Sequence, residues 1–127
     1  WPMFKGIIYR ASGIAPPEDK IPWRTDYDTA LAEAKQTGKP LLIDFTASWC
    51  PPCQAMKHDA WPDETVSKLA SEKYIPLLID VDRPETQAVS SMYKISAIHA
   101  ILIVDARGEV IKQGGFMSAG KLAGFLE

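Results

Sequence analysis

The two cysteines of this chain stand two residues apart in Trp49-Cys50-Pro51-Pro52-Cys53, directly after the apolar run Leu41-Leu42-Ile43-Asp44-Phe45. Thiols at that spacing can form and break a disulfide between themselves, which is the chemistry of a dithiol redox site. A strand that delivers Cys50 to the start of a helix leaves its sulfur near unpaired backbone N–H groups and the positive end of the helix dipole. Both favour thiolate over thiol, and the thiolate is the nucleophile. Cys53, three residues along the first turn, sits beside Cys50 and can attack a mixed disulfide formed there. Pro51 and Pro52 fit, because a first turn has no use for their missing N–H groups and their fixed φ pre-shapes the loop.

Two structural readings compete with this one: an inert disulfide, and half of a zinc site. A zinc site needs more ligands than one pair, and the two histidines, His58 and His99, show no metal-finger spacing. The redox reading therefore comes first. At 127 residues, with 46% hydrophobic content, the chain is long enough for one domain with a real core. A formal charge of −2 gives no basic patch for nucleic acid, and no apolar run approaches a membrane span, so a soluble domain without a transmembrane segment is expected. Both cysteines are consumed by the motif, so their number does not separate a reducing from an oxidising compartment. A chain beginning at Trp1 reads as processed or trimmed, and nothing about export follows from a missing leader.

The surrounding pattern supplies the elements that position the pair. Residues 1–22 mix aromatics with turn-forming glycines and prolines and show no period, so they read as an extension or linker before a domain at 23–127. Thr25-x-x-Asp28 resembles a capping box for a first helix with Tyr27, Leu31 and Ala34 on one face, stopped by Gly38-x-Pro40. The run from Leu41 to Thr46 suits a central strand buried on both faces. A helix from Cys50 should run to about Trp61, where Pro62 interrupts and Asp63 caps a second piece carrying Val66, Leu69 and Ala70. Residues 74–81 read as the next buried strand. Asp82-Arg83-Pro84-Glu85 looks like a helix start leading to Ala88, Val89, Met92 and Tyr93, which are expected to be core. Residues 100–104 and 109–113, joined by Asp105-Ala106-Arg107-Gly108, predict an antiparallel hairpin, and Ser118 can cap a final helix with Leu122, Phe125 and Leu126 inward. With a short strand around Ile21 to Trp23 before the first helix, the pattern is that of an α/β domain with one sheet.

Asp44-Phe45-x-x-x-Trp49-Cys50-x-Pro52-Cys53, the strand after it and the terminal β-β-α unit resemble the thioredoxin superfamily in that order, over roughly residues 24–127. Within it, Phe45-Thr46-Ala47-Ser48-Trp49-Cys50, Pro62-Asp63-Glu64-Thr65-Val66 and Gly115-Phe116-Met117 resemble the C-terminal domain of bacterial thiol:disulfide interchange protein DsbD and its exported relatives. Cys-Pro-Pro-Cys also occurs in tryparedoxin-like and nucleoredoxin-like proteins. The resemblance implies a thioredoxin fold, a single central mixed β-sheet flanked by helices. It implies Cys50 as attacking thiol, Cys53 as resolving thiol and Trp49 as a flanking aromatic shaping the substrate surface. Asp44, six residues before Cys50, falls where the family has a buried carboxylate. A carboxylate in an apolar strand holds a proton more tightly than one in water, and this one could accept the Cys53 proton through water. The competing reading of Asp44 is a strand-edge acid with no role. Trp61 reads as core, and Lys57 and His58 as residues of a solvated helix face.

Two departures from the family pattern stand out. Leu78 occupies the slot of a lysine that usually accompanies the buried acid, which leaves Asp44 less compensated. Ile98-His99-Ala100 occupies the slot of the family's cis-proline, facing the cysteines and pairing with a bound substrate strand. A cis bond before a residue other than proline costs about 2.5–4 kcal/mol, so the loop is expected either to be strained or to go trans and differ from the family's. His99 could act on the Cys50 thiol, join Cys50 and Cys53 as a third ligand for zinc, copper or an iron–sulfur cluster, or do neither as an exposed loop residue.

The reading that follows is a thiol:disulfide oxidoreductase that reduces partner disulfides through a mixed disulfide, with no cofactor beyond its own Cys50–Cys53 pair. Its alternatives are a disulfide oxidant or isomerase, a metal- or iron–sulfur-binding module, and a redox-silent interaction domain. Expected partners are protein thiol or disulfide substrates and a protein electron donor. The expected state is a monomer, and the expected location is periplasmic or otherwise exported, with the cytoplasm as the alternative.

Overall fold

The computed structural model describes residues 19–127, so positions 1–18 of the expected extension lie outside the described residues. The strand leading to the cysteine pair, β1 (Leu41–Thr46), is buried at all six positions. Backbone pairing explains how: β1 lies between β2 (Ile75–Asp80), which runs parallel to it, and β3 (Ala100–Val104), which runs antiparallel. β4 (Val110–Gly114) closes a hairpin with β3, and the sheet order among the described residues is β2-β1-β3-β4. Glu109 falls in the turn rather than the strand, where its N–H donates to Asp105 Oδ1 at 3.0 Å. Gly108 supplies the positive φ of 86° that the turn needs. The expected strand at Ile21 to Trp23 shrinks to one parallel bridge between Arg24 and Leu77. Arg24 exchanges bonds of 2.8 Å with Pro76 and Leu78, but Pro22 has no N–H with which to extend the ladder.

The first helix, α1 (Tyr27–Thr37), starts one residue later than the capping-box pattern suggests. Asp26, not Thr25, is the cap, and its carboxylate accepts the Thr29 N–H at 2.9 Å. Gly38 ends the helix in the left-handed conformation, φ 77°, donating to the Ala34 carbonyl. α2 (Pro51–Asp59) stops short of Trp61, whose N–H reaches back to Met56 O at 3.0 Å as the chain turns toward Pro62. Asp63 then caps α3 (Glu64–Lys73) through the Val66 N–H, as expected. After a short 3₁₀ turn, Pro84–Thr86, comes α4 (Gln87–Met92). α5 (Ala119–Leu126) is capped by Ser118.

The expected core role of Ala88, Val89, Met92 and Tyr93 does not hold. α4 has no fully buried residue, Met92 is 54% exposed, and Val89 and Tyr93 pack only partly on the sheet. A six-residue helix makes under two turns and cannot lay a full apolar stripe across a sheet. The buried anchor there is Thr86, whose hydroxyl donates to the carbonyl of Asp80 or Arg83.

Alternation along β1 sorts the core into two layers. Leu41, Ile43 and Phe45 face Ala30 and Ala34 of α1, while Leu42 faces Met56 of α2, Val66 of α3 and Leu122 and Leu126 of α5. Trp61 is buried in the second layer, edge-on to Trp23 at 5.0 Å between ring centroids. Ile21 also packs there, so the chain just before position 23 already touches the core. Helices on both faces of one mixed sheet, with β-α-β followed by β-β-α, make the thioredoxin fold that the resemblance implies.

Candidate active site

β1 runs out at Thr46, and the chain crosses Ala47, Ser48 and Trp49 before α2 begins. Cys50 is the helix cap: its φ and ψ, −88° and 108°, are extended, and its Sγ accepts the Cys53 N–H at 3.3 Å. The sulfur thus occupies the place a serine or aspartate oxygen takes at other helix starts, held by a first-turn donor that has no intrahelical partner. Pro51 and Pro52 fill the next two positions, where no N–H is required. Cys50 and Cys53 are joined as a disulfide with Cα atoms 5.3 Å apart, and both are almost fully buried.

Beside this buried pair the surface is apolar and open. Trp49 is 51% exposed, with its indole N–H donating to Asp82 Oδ2 at 2.7 Å. In the sequence Asp82 reads only as part of a helix start, and its bond to Trp49 is not legible there, because the two lie 33 positions apart and the β1–β2 pairing brings them together. Ile98 packs against the cysteine cluster together with Val81. The Ile98–His99 peptide is cis. Of the two outcomes expected for this loop, the trans bond does not occur.

Asp44 and His99, singled out separately in the sequence, meet. The Asp44 side chain is buried and Leu78 stands opposite it in β2 as expected, yet the acid is not left uncompensated. Its Oδ1 is hydrogen-bonded to Nε2 of His99, whose ring is fully buried. The strand register explains the meeting. Asp44 pairs with Ile101, and the residue two before Ile101 projects from the same face of the sheet one step along. His99 is thus not an exposed loop residue, and its Nε2 is engaged by Asp44. Among the described residues no group of three or more His, Cys, Asp or Glu side chains is placed to hold a metal ion.

Lys57 and His58 are half-buried on α2 rather than fully solvated. Lys57 lines a cavity of about 470 Å³ with Thr46, Ser48, Leu78 and Asp80. The Thr46 hydroxyl, on the same β1 face as Asp44, is buried without a hydrogen-bond partner. No helix among the described residues is long and apolar enough to cross a membrane.

Comparison with known proteins adds the relatives. A family model described as thioredoxin-like matches residues 22–106. Thiol:disulfide interchange protein DsbD 1 of Pseudomonas aeruginosa is 32% identical over 83 residues, covering 65% of this chain and 14% of that protein. The chain therefore spans a small part of that relative's length. A thioredoxin H-type of Fagopyrum esculentum is 32% identical over 85 residues, covering 67% of this chain and 68% of its own. Among solved structures, the oxidised C-terminal domain of DsbD from Neisseria meningitidis superposes with a TM-score of 0.68 at 24% identity, covering 81% of this chain and 95% of that one.

Proposed function

The chain belongs to the thioredoxin-like family of thiol:disulfide oxidoreductases, and on that premise we propose that it reduces disulfides in partner proteins. The Cys50 thiolate attacks one sulfur of the partner's disulfide. A Cys50–partner disulfide forms, and the partner's other sulfur leaves as a thiolate and takes up a proton. Cys53 then gives up its proton and attacks Cys50 Sγ, expelling the second partner thiol and leaving Cys50–Cys53 oxidised. Two electrons and two protons pass to the partner, and a protein electron donor returns them.

The observation that carries this reading is Cys50 at the cap of α2, its sulfur met by the Cys53 N–H beside an exposed tryptophan. Asp44 takes the role of proton acceptor for Cys53 through water. Trp49, Pro51 and the Ile98-His99-Ala100 segment form the surface on which an extended substrate strand docks. The likeness to DsbD supports a periplasmic or exported location, with exported proteins as substrates and residues 23–127 acting as a monomeric domain. Reduction of a disulfide-linked protein such as insulin tests the reading. Cys53→Ser should hold the substrate as a mixed disulfide released by dithiothreitol, whereas Cys50→Ser should capture none and lose at least about a hundredfold in rate. Undiminished activity in Cys50→Ser would contradict it.

A further inference from the structure

Resting on the oxidoreductase reading above, we propose that His99 is a positioning residue for proton transfer from Cys53: it holds Asp44 by one carboxylate oxygen and leaves the other to receive the thiol proton. Three observations carry this. Asp44 Oδ1 is bound to His99 Nε2, with both side chains buried. His99 Nδ1 is buried with no partner. A bare lone pair in that place is tolerated better than an orphan N–H, so the imidazole carries its proton on Nε2 and donates it to Asp44. Asp44 then accepts one bond from histidine and keeps its second oxygen for another donor.

The third observation is where the pair lies. Leu42, Asp44 and Thr46 alternate onto the β1 face covered by α2, and Leu42 shares its core layer with Met56 of that helix and Ile101 of β3. Cys53 is one turn before Met56, on the same buried side of α2, and Asp44 is two residues beyond Leu42 toward the same end. Both steps lead toward the head of α2, the end of the helix at which the resolving cysteine lies. Other titratable groups surround the pair at more distance. Lys57, His58 and Asp59 belong to α2, and Asp80, Arg83 and Glu85 follow from β2 around the adjacent cavity. β2 offers Leu78 opposite the acid, β3 brings no titratable side chain, and neither do residues 114–117, whose Gly115 leaves room for the His99 carbonyl.

In the resolving step the Cys53 sulfur bonds to the Cys50 sulfur and the Cys50–partner bond breaks. The Cys53 proton moves to Asp44, and the leaving partner thiolate is protonated from solvent. Without His99 the carboxylate is free to turn, and without Asp44 the proton has no acceptor. At alkaline pH, where Cys53 ionises unaided, neither is needed.

The test follows the Cys50–glutathione adduct by acid quench and intact mass after mixing the reduced full chain with glutathione disulfide. At about pH 7, His99→Pro, which installs the residue the family carries there, and Asp44→Asn should each slow decay of the adduct by about tenfold or more. The double variant should be no slower than Asp44→Asn alone, and His99→Gln, which keeps a donor, should stay within about threefold of the unmodified protein. Raising the pH to about 9.5 should close the gap. Normal decay in His99→Pro, additive losses in the double variant, or a deficit unchanged at high pH would overturn the proposal. Nitrogen NMR of the unmodified protein is independent of how the variants fold: it should show His99 protonated at Nε2 and bare at Nδ1, and the reverse tautomer would also overturn it. If the unmodified protein forms no adduct at Cys50, the oxidoreductase reading itself fails. If it forms and resolves one and His99→Pro does so equally well, only the role of His99 fails.

Discussion

Cys50 caps its helix through the sulfur that accepts the Cys53 N–H, and in the proposed mechanism that same sulfur attacks a substrate. Trp49, one residue earlier, does the opposite kind of work. It is half exposed, its indole N–H donates to Asp82, and in the proposed reading it offers area to a partner rather than to the core. Trp49→Ala should leave the thermal midpoint nearly unchanged, within about 0.5 kcal/mol of stability, and lower kcat/KM for a protein disulfide by about three- to tenfold. Calorimetry and insulin reduction check the two halves of that expectation. The cysteine pair and its neighbours were legible in the sequence because their chemistry lies within five consecutive residues. The bond between Asp44 and His99 was not, because 55 positions separate them and only the β1–β3 register joins them. The clue available was alternation: His99, Ile101 and Ile103 share a face, and an imidazole in line with two buried isoleucines needs a polar partner.

Helices α1, α2, α3 and α5 each begin at a side-chain cap, and the caps differ in how they respond to pH. Asp26 at the head of α1 is held below the ordinary carboxylate range, first by the Thr29 hydroxyl and then by the Thr29 N–H. A depressed carboxyl stabilises the fold above its unfolded-state value of 3.8 and loses that contribution as pH falls through the lower folded value. Asp26→Asn should therefore shift the urea midpoint downward at about pH 7 and lose that difference by about pH 2. Urea titrations of both proteins at the two pH values check this, and a difference that persists in acid would contradict it. Caps at Asp63 and Ser118 and the glycine stop at Gly38 could be read directly, because local hydrogen bonds within three or four residues decide them. The burial of α4 was misread for the converse reason. Its apolar spacing is helical, but whether a short helix reaches the core depends on where the 3₁₀ turn and the sheet edge leave it, which is a tertiary fact.

The molecule as a whole is a sheet with two unequal covers, and the site sits where the cover containing α2 meets the carboxyl end of β1. That cover is completed by α5, tied back to the end of α3 by the Tyr74 hydroxyl donating to Leu126 O at 2.7 Å. Leu122 of α5 is fully buried against the layer that contains Met56. Leu122→Ala should cost about 2–5 kcal/mol in urea unfolding while leaving the chemistry of the dithiol in place, since the lost contacts are with the core and not the sulfurs. The succession of strands and helices could be expected from the alternation of buried runs and helical periods, and the edge bridge at Arg24 could not, because a single proline decides it. The central claim is that this fold holds Cys50 and Cys53 as a reductant of protein disulfides. Equilibrating the protein across a glutathione series and quantifying the oxidised pair by mass tests it most directly. A potential on the order of −270 mV, as for thioredoxin, is the predicted result, and a value near about −120 mV would mean that the pair takes electrons from its partners instead.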